Sequence, residues 1–141
     1  MLIQLVAGLE YTQLVQFKGP FCSLVLPSVC DCLTSGDKAK QDASNAMNVK
    51  FNAVLYELAD KYSALNEEDF NVVVQPYLID TIIPDKSFIS TADCFHPSGK
   101  GQGLIGTGLW NSMLTPISSK TNVTTPSATF KCPTEDTLIY N

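Results

Sequence analysis

Phe70-Asn-Val-Val-Val-Gln-Pro-Tyr77 decides the fold. Val72-Val-Val74 sits at its centre, and Pro76 and the loop beyond close it. A short continuous apolar run of β-branched side chains predicts a strand buried on both faces, the kind that lies inside parallel sheets.

Upstream, from about Asp37 to Leu65, the apolar residues Met47, Phe51, Val54, Leu55, Leu58 and Tyr62 recur at three- and four-residue intervals. This period predicts an amphipathic helix with those side chains turned inward. Leu2 to Ala7, closed by Gly8, is a second nearly continuous apolar run and predicts an interior parallel strand. Strand, crossover helix and strand make a βαβ unit, so the expected fold class is α/β with parallel strands. The segment from Lys18 to Gly36 carries Pro20, Pro27 and three cysteines, and reads as an irregular loop.

Downstream, residues 78 to 97 leave the carboxyl end of the second strand, where α/β folds keep their reactive groups. A last helix is expected from about Gly101 to Leu114, with Leu104, Ile105, Leu109 and Met113 on its inner face. Its glycines at 101, 103, 106 and 108 weaken helix propensity and imply compensating close packing against the sheet. Gly101-Gln-Gly-Leu-Ile-Gly106 also matches the dinucleotide fingerprint. It follows a Pro-Ser loop instead of a strand, and no acidic residue stands about twenty positions on, so it reads as packing glycines. The expected organisation is one α/β domain over residues 1–116 and a Ser/Thr-rich tail over 117–141, tied down at most by Cys132.

Composition narrows the function. With 141 residues, 45% of them apolar, the chain suits one modest core. Net charge is −5 and every basic residue is lysine, so there is neither a basic stripe nor a guanidinium fork, and a nucleic-acid partner is not expected. No run reaches the roughly twenty apolar residues of a membrane span. Met1-Leu-Ile-Gln-Leu-Val-Ala-Gly-Leu-Glu10 lacks the basic region and the length of an export leader.

The chemistry-bearing motif is Asp93-Cys-Phe-His-Pro-Ser98, which contains the only histidine of the chain. A carboxylate three residues before an imidazole lets a turn fold it back onto the ring, the pairing a general base needs. An isolated histidine in a polar loop is more often an ordinary surface residue, so the surrounding strand, loop and helix carry the weight. Cys22, Cys30, Cys32, Cys94 and Cys132 lack the paired Cys-x-x-Cys spacing of structural zinc sites. Disulfides suit them better, because Asn122-Val-Thr124 is also a glycosylation sequon and both features belong to extracellular chains.

Taken together, Asp93-Cys-Phe-His-Pro-Ser98, Lys100-Gly101, Leu109-Trp-Asn-Ser-Met-Leu-Thr-Pro116, Lys120-Thr121, the Cys30-x-Cys32 region, Glu68-Asp-Phe-Asn-Val-Val-Val-Gln-Pro76 and Cys132-Pro133 resemble the membrane-associated phospholipase B family, GDSL-type lipases of the SGNH hydrolase superfamily. The resemblance covers nearly the whole chain. It implies a partial α/β/α sandwich corresponding to the C-terminal half of a catalytic domain. It implies hydrolysis of phospholipid or lysophospholipid esters at a membrane surface, at an extracellular or cell-surface location, without metal or organic cofactor. By position His96 would be the general base and Asp93 its orienting carboxylate, with Cys94 a disulfide partner that stiffens the turn.

Two departures stand out. Gln102 replaces a histidine common in relatives, and neither Gly-Asp-Ser nor Gly-x-Asn-Asp occurs in the chain. The nucleophile and oxyanion asparagine of the family are therefore missing, and the odd cysteine count also calls for a partner outside these residues. The expectation is a lipid-esterase fragment inactive by itself; the alternative is a non-catalytic secreted glycoprotein or binding module on the same fold.

Overall fold

The computed structural model describes residues 1–17, 19–31 and 36–139. Strands β1 (Leu2–Val6) and β2 (Asn71–Gln75) pair in parallel, with Leu2 opposite Asn71 and Val6 opposite Gln75. Helices α1 (Pro20–Val29) and α2 (Lys38–Ser63) lie between them in sequence, and α3 (Gly99–Met113) follows.

Alternation along β2 sends Val72 and Val74 to one face and Val73 and Gln75 to the other. Val74 packs with Ala7 and with Leu55 of α2, while Gln75 Oε1 accepts a 2.7 Å hydrogen bond from Ser112 Oγ of α3. The two long helices therefore cover opposite faces of the sheet. This is an α/β architecture with parallel strands and surrounding helices, consistent with a partial SGNH-type sandwich.

Helix α2 begins where Asp37 accepts from the amides of Ala39 and Lys40, at 2.9 and 3.4 Å. Its inward face differs from the expected one. Leu55 is buried, but Met47, Phe51, Val54 and Leu58 are exposed, and the inward positions toward the amino end are Asn45, Asn48 and Asn52. These asparagines meet backbone and hydroxyl groups of the segment after β1, a polar surface that apolar side chains could not satisfy.

Segment 18–36 also departs from expectation, because residues 20–29 form α1. Pro20 stands in its first turn, where the missing N–H costs nothing, and Pro27 falls near the end, with the last turn closed by Cys30 N on Leu26 O at 2.8 Å. Residues 32–35, with Cys32, lie outside the described residues. Strand β2 is buried from Val72 to Gln75, as its composition predicts. Strand β1 is not: Leu2 and Val6 are exposed, because among the described residues β1 pairs with β2 alone.

Ser98 caps α3, accepting from Gly101 N at 3.2 Å. Its most buried positions are Gly101, Gly108 and Ser112, with the large apolar side chains only half-buried. Glycine is needed at two places: a Cβ on Gly101 would stand 2.3 Å from Phe88 O, and one on Gly108 would stand 2.5 Å from the Tyr77 ring. Gly103 and Gly106 face open space, so the close-packing expectation does not extend to them.

The segment after α3 is held by hydrogen bonds and ring stacking, and not by a disulfide of Cys132 with a described residue. Thr124 N donates to Thr81 Oγ1 at 2.8 Å, Trp110 Nε1 to Lys131 O at 2.7 Å, and the rings of Trp110 and Phe130 stack. The Lys120 ammonium donates to Gln75 Oε1 and to the carbonyls of Ser112 and Thr115, placing a cation on the carboxyl end of α3. Burial pulls its pKa down, with a smaller contribution from Lys131. No helix among the described residues is long and apolar enough to cross a membrane.

Candidate active site

The loop after β2 closes on itself through an antiparallel bridge between Ile89 and Pro97. Ser90 N donates to His96 O at 2.8 Å and Ser98 N to Phe88 O at 2.9 Å, so residues 90–96 form a turn with a fixed base. Within it Asp93 does two jobs. Its Oδ1 accepts from the amides of Phe95 and His96, each at 3.0 Å, and its Oδ2 lies 2.6 Å from His96 Nδ1. The first pair is an Asx turn, which a short carboxylate forms with the backbone just beyond it.

Those amide bonds, first Phe95 N–H and then the imidazole and His96 N–H, hold the Asp93 carboxyl down at about 2. An ionised carboxylate only accepts, so Nδ1 carries a proton, and it is Nε2 whose lone pair the neutral ring offers. The histidine side chain is 65% exposed. The arrangement presents an oriented proton acceptor to whatever approaches.

Cys94 stands inside the turn with φ of 59°, the left-handed region, and is joined to Cys22 of α1 by a disulfide. Cys22, Leu26 and Cys94 form a small buried cluster with Phe95 against it. Cys132 is exposed and forms no disulfide with a described residue.

His96 borders an apolar cleft of about 210 Å³. Its walls come from three separated segments: Tyr11 and Leu14 after β1, Leu78 and Ile83 after β2, and Ile105 on α3. The volume exceeds the roughly 150 Å³ of a dry cavity that accepts benzene, so a short hydrocarbon chain fits. Leu14 is buried in the 3₁₀ segment Tyr11–Phe17, a stretch that sequence reasoning left unassigned. The only signal there is an irregular scatter of apolar residues, which matches neither helix nor strand period.

The first wall is positioned by α2. Asn52 grips Gly8 at both ends, Oδ1 accepting Gly8 N and Nδ2 donating to Gly8 O, each at 2.8 Å. Asn48 Nδ2 donates to Leu9 O at 2.9 Å, and Asn45 Nδ2 to Glu10 Oε1 and Thr12 Oγ1, at 2.6 and 2.9 Å. Of the other candidate residues, Asn122 lies exposed and far along the chain from the dyad, with Nδ2 donating to Asp80 Oδ2 at 3.2 Å.

A family model described as GDSL-like Lipase/Acylhydrolase matches residues 10–109. Among curated proteins, "Phospholipase B1, membrane-associated" of Rattus norvegicus is 32% identical over 98% of this chain and 10% of its own length. The Homo sapiens protein of that name is 33% identical over 84% of this chain and 9% of its own, and the Mus musculus protein 30% over 95% and 10%. The chain thus spans about a tenth of the length of the relatives it matches. No solved structure matches it.

Proposed function

Because the chain belongs to the GDSL-like lipase/acylhydrolase family, we propose that it supplies the acid–base half of a serine-type lipid esterase. His96 is the general base, Asp93 its orienting carboxylate, and phospholipid or lysophospholipid the substrate. The observation that carries this reading is the 2.6 Å contact between His96 Nδ1 and Asp93 Oδ2 at the edge of an apolar cleft.

The steps follow from that geometry. His96 Nε2 takes the proton of an attacking serine hydroxyl as its oxygen bonds to the ester carbonyl, and returns it to the departing alcohol. Asp93 keeps the proton on Nδ1 throughout and stabilises the imidazolium between the two transfers. The cleft takes the acyl chain, excluding water from part of the substrate. A serine and its oxyanion donors must come from outside these 141 residues, since the chain holds no Gly-Asp-Ser and no Gly-x-Asn-Asp. These residues then correspond to the C-terminal half of such a domain. The extracellular or cell-surface location and a glycan on Asn122 belong to the same reading.

The test joins a Gly-Asp-Ser segment and a Gly-x-Asn-Asp segment of the family ahead of Met1 in one polypeptide. Hydrolysis of a short-chain p-nitrophenyl ester should appear, and fall by about a thousandfold or more on His96→Ala or Asp93→Ala. The reading fails if the joined protein is active and indifferent to His96→Ala. It fails equally if the 141 residues alone hydrolyse the ester and lose that activity on His96→Ala.

A further inference from the structure

We propose that α1 is a docking surface for a neutral lipid aggregate, seating the His96 cleft on it. The inference rests on the lipid-ester reading above and names the surface through which that substrate arrives.

Pro20-Phe-Cys-Ser-Leu-Val-Leu-Pro-Ser-Val29 contains no charged residue, in a chain where 16% of residues are charged. A surface helix ordinarily turns charged side chains to water. Here the inward face is Cys22 and Leu26, and the outward face carries Phe21 at 54% and Leu24 at 78% exposure, with Ser28 beside them. Phe21, Leu24 and Ser28 fall at intervals of three and four, so they share one side. Apolar side chains held out from a helix that lies flat on a domain are what partition into the headgroup boundary of lipid.

Position relative to the site identifies the occupant. The Cys22–Cys94 disulfide ties α1 to the turn bearing Asp93 and His96. Phe95 packs against the Cys22/Leu26 cluster and also lines the cleft. A surface resting on α1 therefore lies next to the place where an acyl chain must enter. A chain moving from aggregate to cleft then avoids crossing open water, which lowers the barrier to entry by up to the transfer cost of the methylenes it would otherwise expose. Charge selects the kind of lipid: α1 itself carries no cation, Lys86 Nζ reaching only its start at Gly19 and Lys40 pairing with Asp31 beyond its end, so a chain of net charge −5 is repelled by anionic headgroups and indifferent to zwitterionic ones.

The test is flotation of the 141-residue chain with vesicles of phosphatidylcholine and, separately, of phosphatidylserine. A second measurement follows the His96 ring by NMR during titration with monomeric dihexanoylphosphatidylcholine. We expect flotation with phosphatidylcholine exceeding that with phosphatidylserine. Phe21→Glu with Leu24→Glu should lower it roughly tenfold or more, while Leu24→Trp keeps it and Met47→Glu, an equally exposed position on α2, leaves it unchanged. The His96 response to monomeric lipid should be the same in all variants, which also reports that they are folded.

Flotation that is absent in the unaltered chain, or undiminished in the Glu pair, while His96 still responds, overturns the docking surface and leaves the lipid-ester reading standing. An unaltered chain whose His96 ignores the monomeric lipid overturns that reading, and this inference with it.

Discussion

Replacing the Cys22–Cys94 disulfide by two serines should be the most damaging pair of small changes available to this chain. The bridge closes a loop of 72 residues, and the chain-entropy relation assigns such a loop about 4 kcal/mol. Small domains are stable by only about 5–15 kcal/mol in total, so the loss takes a large share. With a urea slope near 2 kcal/mol per molar, the unfolding midpoint should fall by about 2 M. The structure offers an internal control, because Cys94 holds a left-handed φ of 59°. Serine at 94 keeps that cost and glycine removes it, so Cys22→Ser with Cys94→Gly should recover about 1 kcal/mol relative to the double serine variant. Urea unfolding followed by circular dichroism measures both differences. Hydrogen exchange at Phe95 and His96, whose amides rest on Asp93, should quicken in the serine pair. A double serine variant within about 1 kcal/mol of the parent would refute the loop-closure reasoning. Equal stabilities for the serine and glycine partners would refute the cost assigned to residue 94.

Asn52→Ala removes two 2.8 Å bonds to the Gly8 backbone and strands both of its polar groups, so it should cost about 2 kcal/mol in urea unfolding; a neutral result means the clamp is not made. Gly101→Ala drives a Cβ to 2.3 Å from the Phe88 carbonyl and should cost about 1–3 kcal/mol. By contrast, Gly103→Ala, with open space around it, should stabilise α3 by up to about 1 kcal/mol, and thermal melts of the two should move in opposite directions. The Asp93 carboxyl, lowered from 3.8 to about 2, supports the turn fully above pH 3.8 and loses that support as pH falls through 2. The Phe95 and His96 amide shifts should therefore titrate with a midpoint near 2 and go flat in Asp93→Asn; a midpoint at 3.8 contradicts the Asx-turn account.

Residues 70–77 and 37–65 declared themselves because their order is written in short-range pattern. A β-branched run and a three-to-four-residue period need no knowledge of distant chain. The same holds for Asp93 and His96, whose contact closes over three residues through hydrogen bonds within one turn. Periodicity did mislead over the inward face of α2. It points to Met47, Phe51, Val54 and Leu58, yet three asparagines on another side meet the polar chain after β1, and the period of apolar residues says nothing of polar partners. Proline content misled over α1, since Pro20 occupies the first turn, where the missing N–H is tolerated, and Pro27 removes one bond inside the helix without ending it.

From the linear chain alone came the class of the fold, the strand that carries the site loop, the Asp93/His96 pairing and the missing Gly-Asp-Ser. Packing in three dimensions selected Cys22 as the partner of Cys94, assembled the cleft from segments after β1, after β2 and on α3, and turned Phe21 and Leu24 of α1 outward. The division has one physical cause. Contacts that close within a few residues depend on local backbone geometry, whereas which cysteine, wall or helix face meets another depends on how distant segments share one buried volume.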